Sequence, residues 1–455
     1  MPSNGHGGAS RSYYLAIAAA VTSLLLHFLR FGYAYGAGDH DETLPLVLQR
    51  LDPSLYTGDW FVTGQSGEFG VRSAFVTTLA TFAEVIPLWL VVALLHVATF
   101  VAVALAVHRL TRSFFGSEAA AFVTTIAALV LTPQWTLGGN DLVHGILVPS
   151  TVGWSLALWS VAFHLSGRRV RAGLFLGLAT LFQALVGLQV IALVLAHVLV
   201  RAGRPLRQRS SDFVTLLLPF ALVAGPLLAV LIHGQRAPVP ERSAFPSLFY
   251  IMASFRAPHH YLPDSFPLVS WVKFGTLFVA GVAGVLLLRR RKELRHGDFL
   301  FVGINVLAVF LVLGYLFTEV VPVLRVTLFQ PFKLTVLAKP VLLGGIVAAA
   351  IRTTRRGQRF DEWLVANSRP VTAAVLAGVV VIVLMLGATG ASVGGRVGPI
   401  VHARTDLGVV EQWAARATDA RSTFLVPPSN TTFRFSARRS IVVNFKSIPF
   451  EPDPV

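Results

Sequence analysis

Residues 86–108 read IPLWLVVALLHVATFVAVALAVH, and Arg109-Leu110-Thr111-Arg112 follow at once. The run holds no Asp, Glu, Lys or Arg. A helix of about 20 apolar residues is what a hydrocarbon core of about 30 Å requires. The two arginines that close it mark its cytoplasmic end. The rest of the chain has the same character. Of 455 residues, 54% are hydrophobic and 13% charged, and the mean hydropathy is +0.68. A soluble domain carries about 25% charged residues, so an ordinary soluble enzyme and a disordered chain are excluded. There is no cysteine, which removes disulfides, a thiolate nucleophile and cysteine-ligated metals. Three methionines argue against a methionine-lined binding surface.

Working outward, similar apolar runs fall near 12–35, 118–137, 147–166, 213–233, 268–288, 298–317, 329–351 and 371–393. The stretch 172–200 is too long for one span and lies between two arginine-rich loops, 168–171 and 201–209. It is expected to enter and return as a pair of short helices that break near Gln183–Gln189. Irregular backbone at that depth is tolerated only when protein shields it. With the N-terminus and alternate loops inside, 20 of the 38 cations but only 6 of the 22 acids fall on the inner side. The formal charge of +16 is thus a topology signal with a secondary attraction to anionic lipid, and no nucleic-acid partner is expected. The expected fold is an α-helical polytopic membrane protein of about nine full spans plus one short helix pair, eleven segments in all. The N-terminus lies inside and a small α+β tail outside.

The expected organisation is a structureless cytoplasmic N-terminus at 1–11, a transmembrane domain at 12–393 and an extracytoplasmic tail at 394–455. The transmembrane domain carries outer loops at 36–85 and 234–267. The first span offers no small-x-small cleavage site at Phe31–Gly36, so it reads as a retained span and not a leader. In the tail, Asp406 is placed to cap a helix with Leu407, Val410, Trp413, Ala414 and Ala417 on one side. Strands follow at 424–426 and 441–445, with a turn at 427–430. About 60 residues is marginal for a free domain, so the tail should pack on the membrane part or on the first loop.

The first outer loop opens with Gly38-Asp39-His40-Asp41-Glu42. Leu44, Val47, Leu48 and Leu51 then recur at helical spacing, which suits a helix lying on the membrane surface. Asp39 and Glu42 have the spacing of a capping box, and Asp52-Pro53 that of an N-cap followed by Pro. The loop holds more acids than capping uses, Asp59 in Gly58-Asp59-Trp60 included. Acids this close repel, and one should titrate high, as a general base requires. In the second large loop, Phe255-Arg256-Ala257-Pro258-His259-His260-Tyr261 sets an arginine and two histidines among aromatics. Such a set suits phosphate or sugar, or equally an interfacial aromatic belt. Arg325, Lys333 and Lys339 lie at the outer end of a span or within it, where cations face a cavity, a partner or a polar ligand. Snorkelling accounts better for Arg325 than for the two lysines. Pro331 in Phe329-Gln330-Pro331-Phe332-Lys333 should kink or restart the helix. Trp135–His144 reads as turn chemistry, with Asp141 and His144 available to line a cavity. Gln183 and Gln189 are expected to satisfy exposed backbone at the helix break.

A first span, an acidic outer loop with Asp41-Glu42, a surface helix and Gly58-Asp59-Trp60-Phe61 together resemble the GT-C glycosyltransferases. These are polytopic enzymes that take sugars from polyprenyl-phosphate carriers. Phe424–Pro428, Phe433-Arg434, Arg438-Arg439 and Phe445-Lys446 resemble a bacterial C-terminal domain of unknown function. The first resemblance implies a GT-C-like fold in the bacterial cytoplasmic (plasma) membrane and a catalytic acid at Asp39 or Asp41. Arg256, Arg325 and Lys333 would hold the carrier phosphate, His259 and His260 would orient sugar or phosphate, and His40, Glu42 and Asp59 would complete the substrate-binding set. The expected partners are membrane lipid and a polyprenyl-phosphate sugar donor, and the sequence names no protein partner. It requires no cofactor, although close carboxylates also suit a divalent metal, Mg or Mn. Two other readings stand beside this one: a transporter or flippase for an anionic lipid or solute, and a non-catalytic scaffold for envelope assembly.

Overall fold

The computed structural model describes residues 5–67, 69–200, 205–234, 247, 249–388, 397–399 and 406–447. The first half runs α1 (Gly5–Phe31), β1 (Tyr33–Tyr35), α2 (His40–Leu51), α3 (Trp60–Ser66), α4 (Ser73–Ala83), α5 (Leu88–Phe115), α6 (Glu118–Ile126), α7 (Pro149–Leu165), α8 (Arg169–Phe182), α9 (Ala184–Val200) and α10 (Leu206–Gly234). Then come α11 (Pro258–Tyr261), α12 (Leu268–Arg290), α13 (Gly297–Tyr315), α14 (Leu324–Leu328), α15 (Thr335–Thr353), α16 (Arg355–Ala366) and α17 (Ser368–Ala388). The tail adds β2 (Val397–Pro399), α18 (Asp406–Ala417), β3 (Thr423–Phe424), α19 (Phe433–Ala437) and β4 (Ser440–Ile441). Among the described residues, seven helical stretches are long and apolar enough to cross a membrane.

Local chemistry sets the breaks. Residues 172–200 do fold as two helices, and the elbow is Gln183, whose backbone is extended. The expected span at 118–137 is shorter than its hydropathy suggests. It ends in a π-helical turn at Ala127–Leu131, where Thr132 closes onto the Ala127 carbonyl through its amide and its hydroxyl. Irregular chain then leads to Pro149 at the start of α7. At Gln330 the backbone turns left-handed (φ 50°) and Pro331 restarts the helix, as a proline lacking an N–H should. Gln189, on α9, donates to the carbonyls of Phe329 and Gln330, both at 2.9 Å. The expected backbone satisfaction is present, at a different break.

The first loop builds a core of its own. Leu44, Val47, Tyr56, Phe61, Phe75 and Leu79 are buried together, and Phe435 of the tail is inserted among them. α2 is therefore covered by other chain, whereas a helix lying on a membrane surface would leave one side open. The tail's own core is five residues, Ala414, Val426, Phe433, Ala437 and Ile441, too few to hold a domain alone. It packs on the first loop, one of the two expected docking places. Helix α18 forms over the expected residues but turned about its axis. Gly408, Glu411 and Ala414 face inward, while Leu407, Val410 and Trp413 are exposed. The strands are parallel pairs, β1 with β2 in the register Tyr33↔Val397 and β3 with β4 in the register Thr423↔Ser440. Helix α1 begins at Gly5, inside the stretch expected to lack structure, and residues 1–4 lie outside the described residues. Residues 235–246 of the second large loop do also.

Candidate functional site

Two polar assemblies occupy the acid-loop end of the bundle, and both use the tail. The first centres on Arg434, which is 1% exposed. Its Nε donates to Asp59 Oδ2 at 2.8 Å. Its Nη1 donates to Asp41 Oδ2 at 3.4 Å and to the Ser447 hydroxyl. The guanidinium also lies over the Phe61 ring, 5.2 Å from its centroid. Asn444 donates to the same Asp41 oxygen at 2.8 Å, and the Ile441 amide donates to Asp59 Oδ2 at 3.0 Å. Asp59 caps α3 as well, accepting from the Val62 amide at 3.1 Å. Gly58 has a plain reason to be glycine, because a Cβ there would lie 2.6 Å from Thr423 Oγ1 on β3. One cation faces two carboxylates in a dry site. The closer acid, Asp59, balances it, and burial pushes the Asp41 carboxyl up to about 6 against the opposing pull of Arg434 and Asn444.

The second assembly lies around Asp39. Helix geometry separates it from Asp41, since residues two apart point to different sides. Asp39 stands at the N-cap position of α2, but its side chain makes no capping bond. It pairs with Lys446 of the tail instead. Chain surrounds Asp39 closely, yet its side chain keeps 50% of its surface accessible. Burial alone would raise its carboxyl, but Lys446, with His144 and His260 further off, holds it below the ordinary carboxylate range. The His260 Nδ1–H donates to the Gly138 carbonyl at 2.7 Å, which leaves Nε2 as the unprotonated nitrogen. Burial lowers this imidazole to about 4. Gly139 stays bare against it, because a Cβ would meet His260 Nδ1 at 3.3 Å.

Two lysines complete this end of the bundle in different ways. Lys339 is fully buried and bound to Asp141 and to the Thr132 carbonyl. Lys333 is 5% exposed, and its side chain has no hydrogen bond or ion pair with a described residue. Asp39 is the acid whose charge acts on it. Its place is fixed by Thr335, whose hydroxyl donates to the Phe332 carbonyl at 2.7 Å and accepts from the Leu137 amide at 3.0 Å. Beside it, Phe332 lines an apolar crevice of about 460 Å³ with Trp271, Leu311, Tyr315, Leu316 and Val320.

The residues expected to meet substrate therefore separate. Asp39, His260 and Lys333 come together. His259 is exposed and lies against His260, with ring centroids 4.1 Å apart. Asp41 and Asp59 are closed to solvent in the Arg434 assembly. His40 is fully buried, accepting from the Gly36 amide and donating to the Leu147 carbonyl. Glu42 does not complete a capping box, because it lies between Arg72 at 2.6 Å and Arg256 at 3.4 Å. Arg256 also binds the carbonyls of Phe445 and Lys446, which makes it a strut for the tail. Arg325 is exposed on α14, and its side chain has no hydrogen bond or ion pair with a described residue. Asp52 caps no following helix and instead accepts from the Ser54 amide and hydroxyl. Asp39, Asp41, Glu42 and Asp59 each face a cation, and among the described residues no three His, Asp or Glu side chains converge as metal ligands. The divalent ion suggested by close acids thus has no assembled donor set here.

The sequence reading left out Arg434, Asn444 and Lys446 as site residues. A family model described as a domain of unknown function (DUF6798) matches residues 405–455. All three lie within it, so the matched segment supplies the tail's half of both assemblies. The chain matches no curated protein.

Proposed function

We propose that the protein is a GT-C-like glycosyltransferase that takes sugar from a polyprenyl-phosphate carrier at the outer face of the bacterial cytoplasmic membrane. In this reading α6 and α7 count as spans with the seven longer helices, α8 and α9 form the short pair, and the tail lies outside. The observation that carries the reading is Lys333, a nearly buried ammonium without a partner among the described residues, which feels the charge of the half-open acid Asp39 and follows Phe332 of the apolar crevice in the chain. An unpaired buried cation is costly and is kept where a ligand neutralises it. A lipid phosphate fits both neighbours, with its chain in the crevice at Phe332 and its phosphate at Lys333.

Asp39, ionised at neutral pH, accepts the proton of the acceptor hydroxyl as that oxygen bonds to the sugar's anomeric carbon. The bond from that carbon to the carrier phosphate oxygen breaks, and Lys333 stabilises the charge left on the phosphate. The Lys446 pair must open for this. If Lys446 turns to the phosphate, Asp39 loses its counter-charge and becomes a stronger base. The His260 Nε2 lone pair is free to accept from a sugar hydroxyl.

The test uses full-length protein in nanodiscs with a panel of polyprenyl-phosphate sugars and added acceptor. Lys333→Met should lower carrier retention and turnover by roughly 10²–10³-fold. Asp39→Asn should abolish turnover while retention persists. Retention and turnover unchanged in Lys333→Met overturn the assignment, and movement of intact carrier between leaflets without sugar transfer would make the protein a flippase.

A further inference from the structure

The opposite end of the bundle carries a second, larger groove. Helix α9 passes Gln330 at Gln189 and ends at Val200, and α13 starts at Gly297 and ends beside Phe332. Between the far end of α9 and the start of α13 lies a groove of about 950 Å³. Ala192, Ala196, Val306 and Phe310 line its body, and Arg289, Lys292 and Asp298 line its mouth. It opens sideways along α13, where Val309 is 53% exposed on a helix apolar enough to span.

The cations at the mouth are not equivalent. Arg291 is paired with Glu293 at 2.9 Å. Arg289 and Lys292, on either side of it, line the groove, and their side chains have no hydrogen bond or ion pair with a described residue. Arg289 is held over the Phe301 ring, 4.1 Å from its centroid, so its guanidinium is positioned without being neutralised. The carboxylate at the mouth already accepts from within the fold. Asp298 binds the His197 Nε2–H at 3.1 Å and the Phe299 amide at 3.0 Å, and His197 is in turn bonded to His164 at 2.8 Å. The groove therefore offers a mainly apolar body and an excess of positive charge at its mouth.

We propose that this groove binds one anionic phospholipid of the cytoplasmic leaflet, with an acyl chain between α9 and α13 and the phosphate between Arg289 and Lys292. Basic pockets between helices on the cytoplasmic side attract anionic headgroups in this way. The site lies apart from Asp39 and Lys333; it rests on the topology of the proposed reading and not on sugar transfer.

The experiment is native mass spectrometry of the full chain released from nanodiscs of mixed phosphatidylglycerol and phosphatidylcholine, with lipid competition to give relative affinities. Wild type should retain one phosphatidylglycerol in preference to phosphatidylcholine. Arg289→Gln with Lys292→Gln should cut that preference about thirtyfold, at about fivefold per juxtamembrane charge. Arg291→Gln, which removes the paired cation, should leave it unchanged. Val306→Trp should fill the groove and abolish retention with both cations in place. Equal retention of the two lipids by wild type, or a preference unchanged in the double variant, overturns the proposal. Loss in Arg291→Gln equal to that in the double variant also overturns it, because it would show diffuse surface attraction only.

Discussion

Asp39 and Asp41 stand two residues apart in one loop and meet opposite environments. Asp41 has no exposed surface and is held by Arg434 and Asn444. Asp39 keeps half its side-chain surface and, among the described residues, pairs with the half-buried side chain of Lys446. The same contrast runs through the lysines, with Lys339 locked to Asp141 and Lys333 unpaired among the described residues. Charge density alone would make all of these equal candidates. Partner number and accessibility separate the group that holds the tail in place from the group left open to a ligand.

The largest test of that separation is the removal of Arg434. Arg434→Met leaves Asp59 buried without its counter-charge, and breaking a buried pair from one side costs about 3–5 kcal/mol. The expected result in detergent is a lower melting temperature and protease cleavage of the tail at sites closed in wild type. A variant that melts with wild type and keeps its tail protected would remove the structural reading of the Arg434 assembly.

A smaller effect separates Asp41 from a catalytic role. Its carboxyl sits at about 6 in the fold, above the value near 4 of an unfolded chain. The folded state thus binds this proton more tightly. The stability it brings is full below about pH 4 and is lost as pH rises through about 6. Asp41→Asn mimics the protonated side chain at every pH. It should match wild type near pH 4 and exceed it above pH 7 by about 2–3 kcal/mol at most, with sugar transfer retained. Thermal melts across pH 4.5–8 check this. A variant that is less stable at all pH values, or that is inactive, would return Asp41 to the reactive set.

What the sequence made legible was what neighbouring residues decide. The elbow at Gln183, the restart at Pro331, the helix at 406–417 and the docking of a tail too small to stand alone all follow from hydropathy, proline chemistry or size. What it hid was pairing over long separations. Arg434 is 375 residues from Asp59 and 393 from Asp41, and no local pattern links them. A usable signal was present in charge: an acid-rich first loop and a tail with eight Lys and Arg were both assigned to the same side of the membrane. The capping box failed for the same reason, because cations from the tail and from Arg72 and Arg256 outcompete backbone amides for Asp39 and Glu42. The rotation of α18 was hidden because Glu411, a polar residue on the face read as outer, is buried by accepting from the Thr432 hydroxyl at 2.5 Å.

The smallest stability effect carries the most functional weight. Asp39 and Lys446 form a half-exposed ion pair, with side chains 50% and 35% accessible, and such pairs contribute between about 0 and 1 kcal/mol. Asp39→Asn should therefore melt within about 1 kcal/mol of wild type, far from the loss expected at Arg434. Lys446→Met should do the same, since the tail remains held by Arg434 and by the Arg256 strut. If Asp39 draws the acceptor proton, the asparagine variant loses turnover without losing carrier, and Glu at the same position recovers part of it because the carboxylate returns. A purely structural Asp39 predicts the reverse: stability falls with the charge, and turnover follows stability in every variant. Melting curves and single-turnover transfer on Asp39→Asn, Asp39→Glu and Lys446→Met distinguish the two, because only a reacting group separates rate from fold.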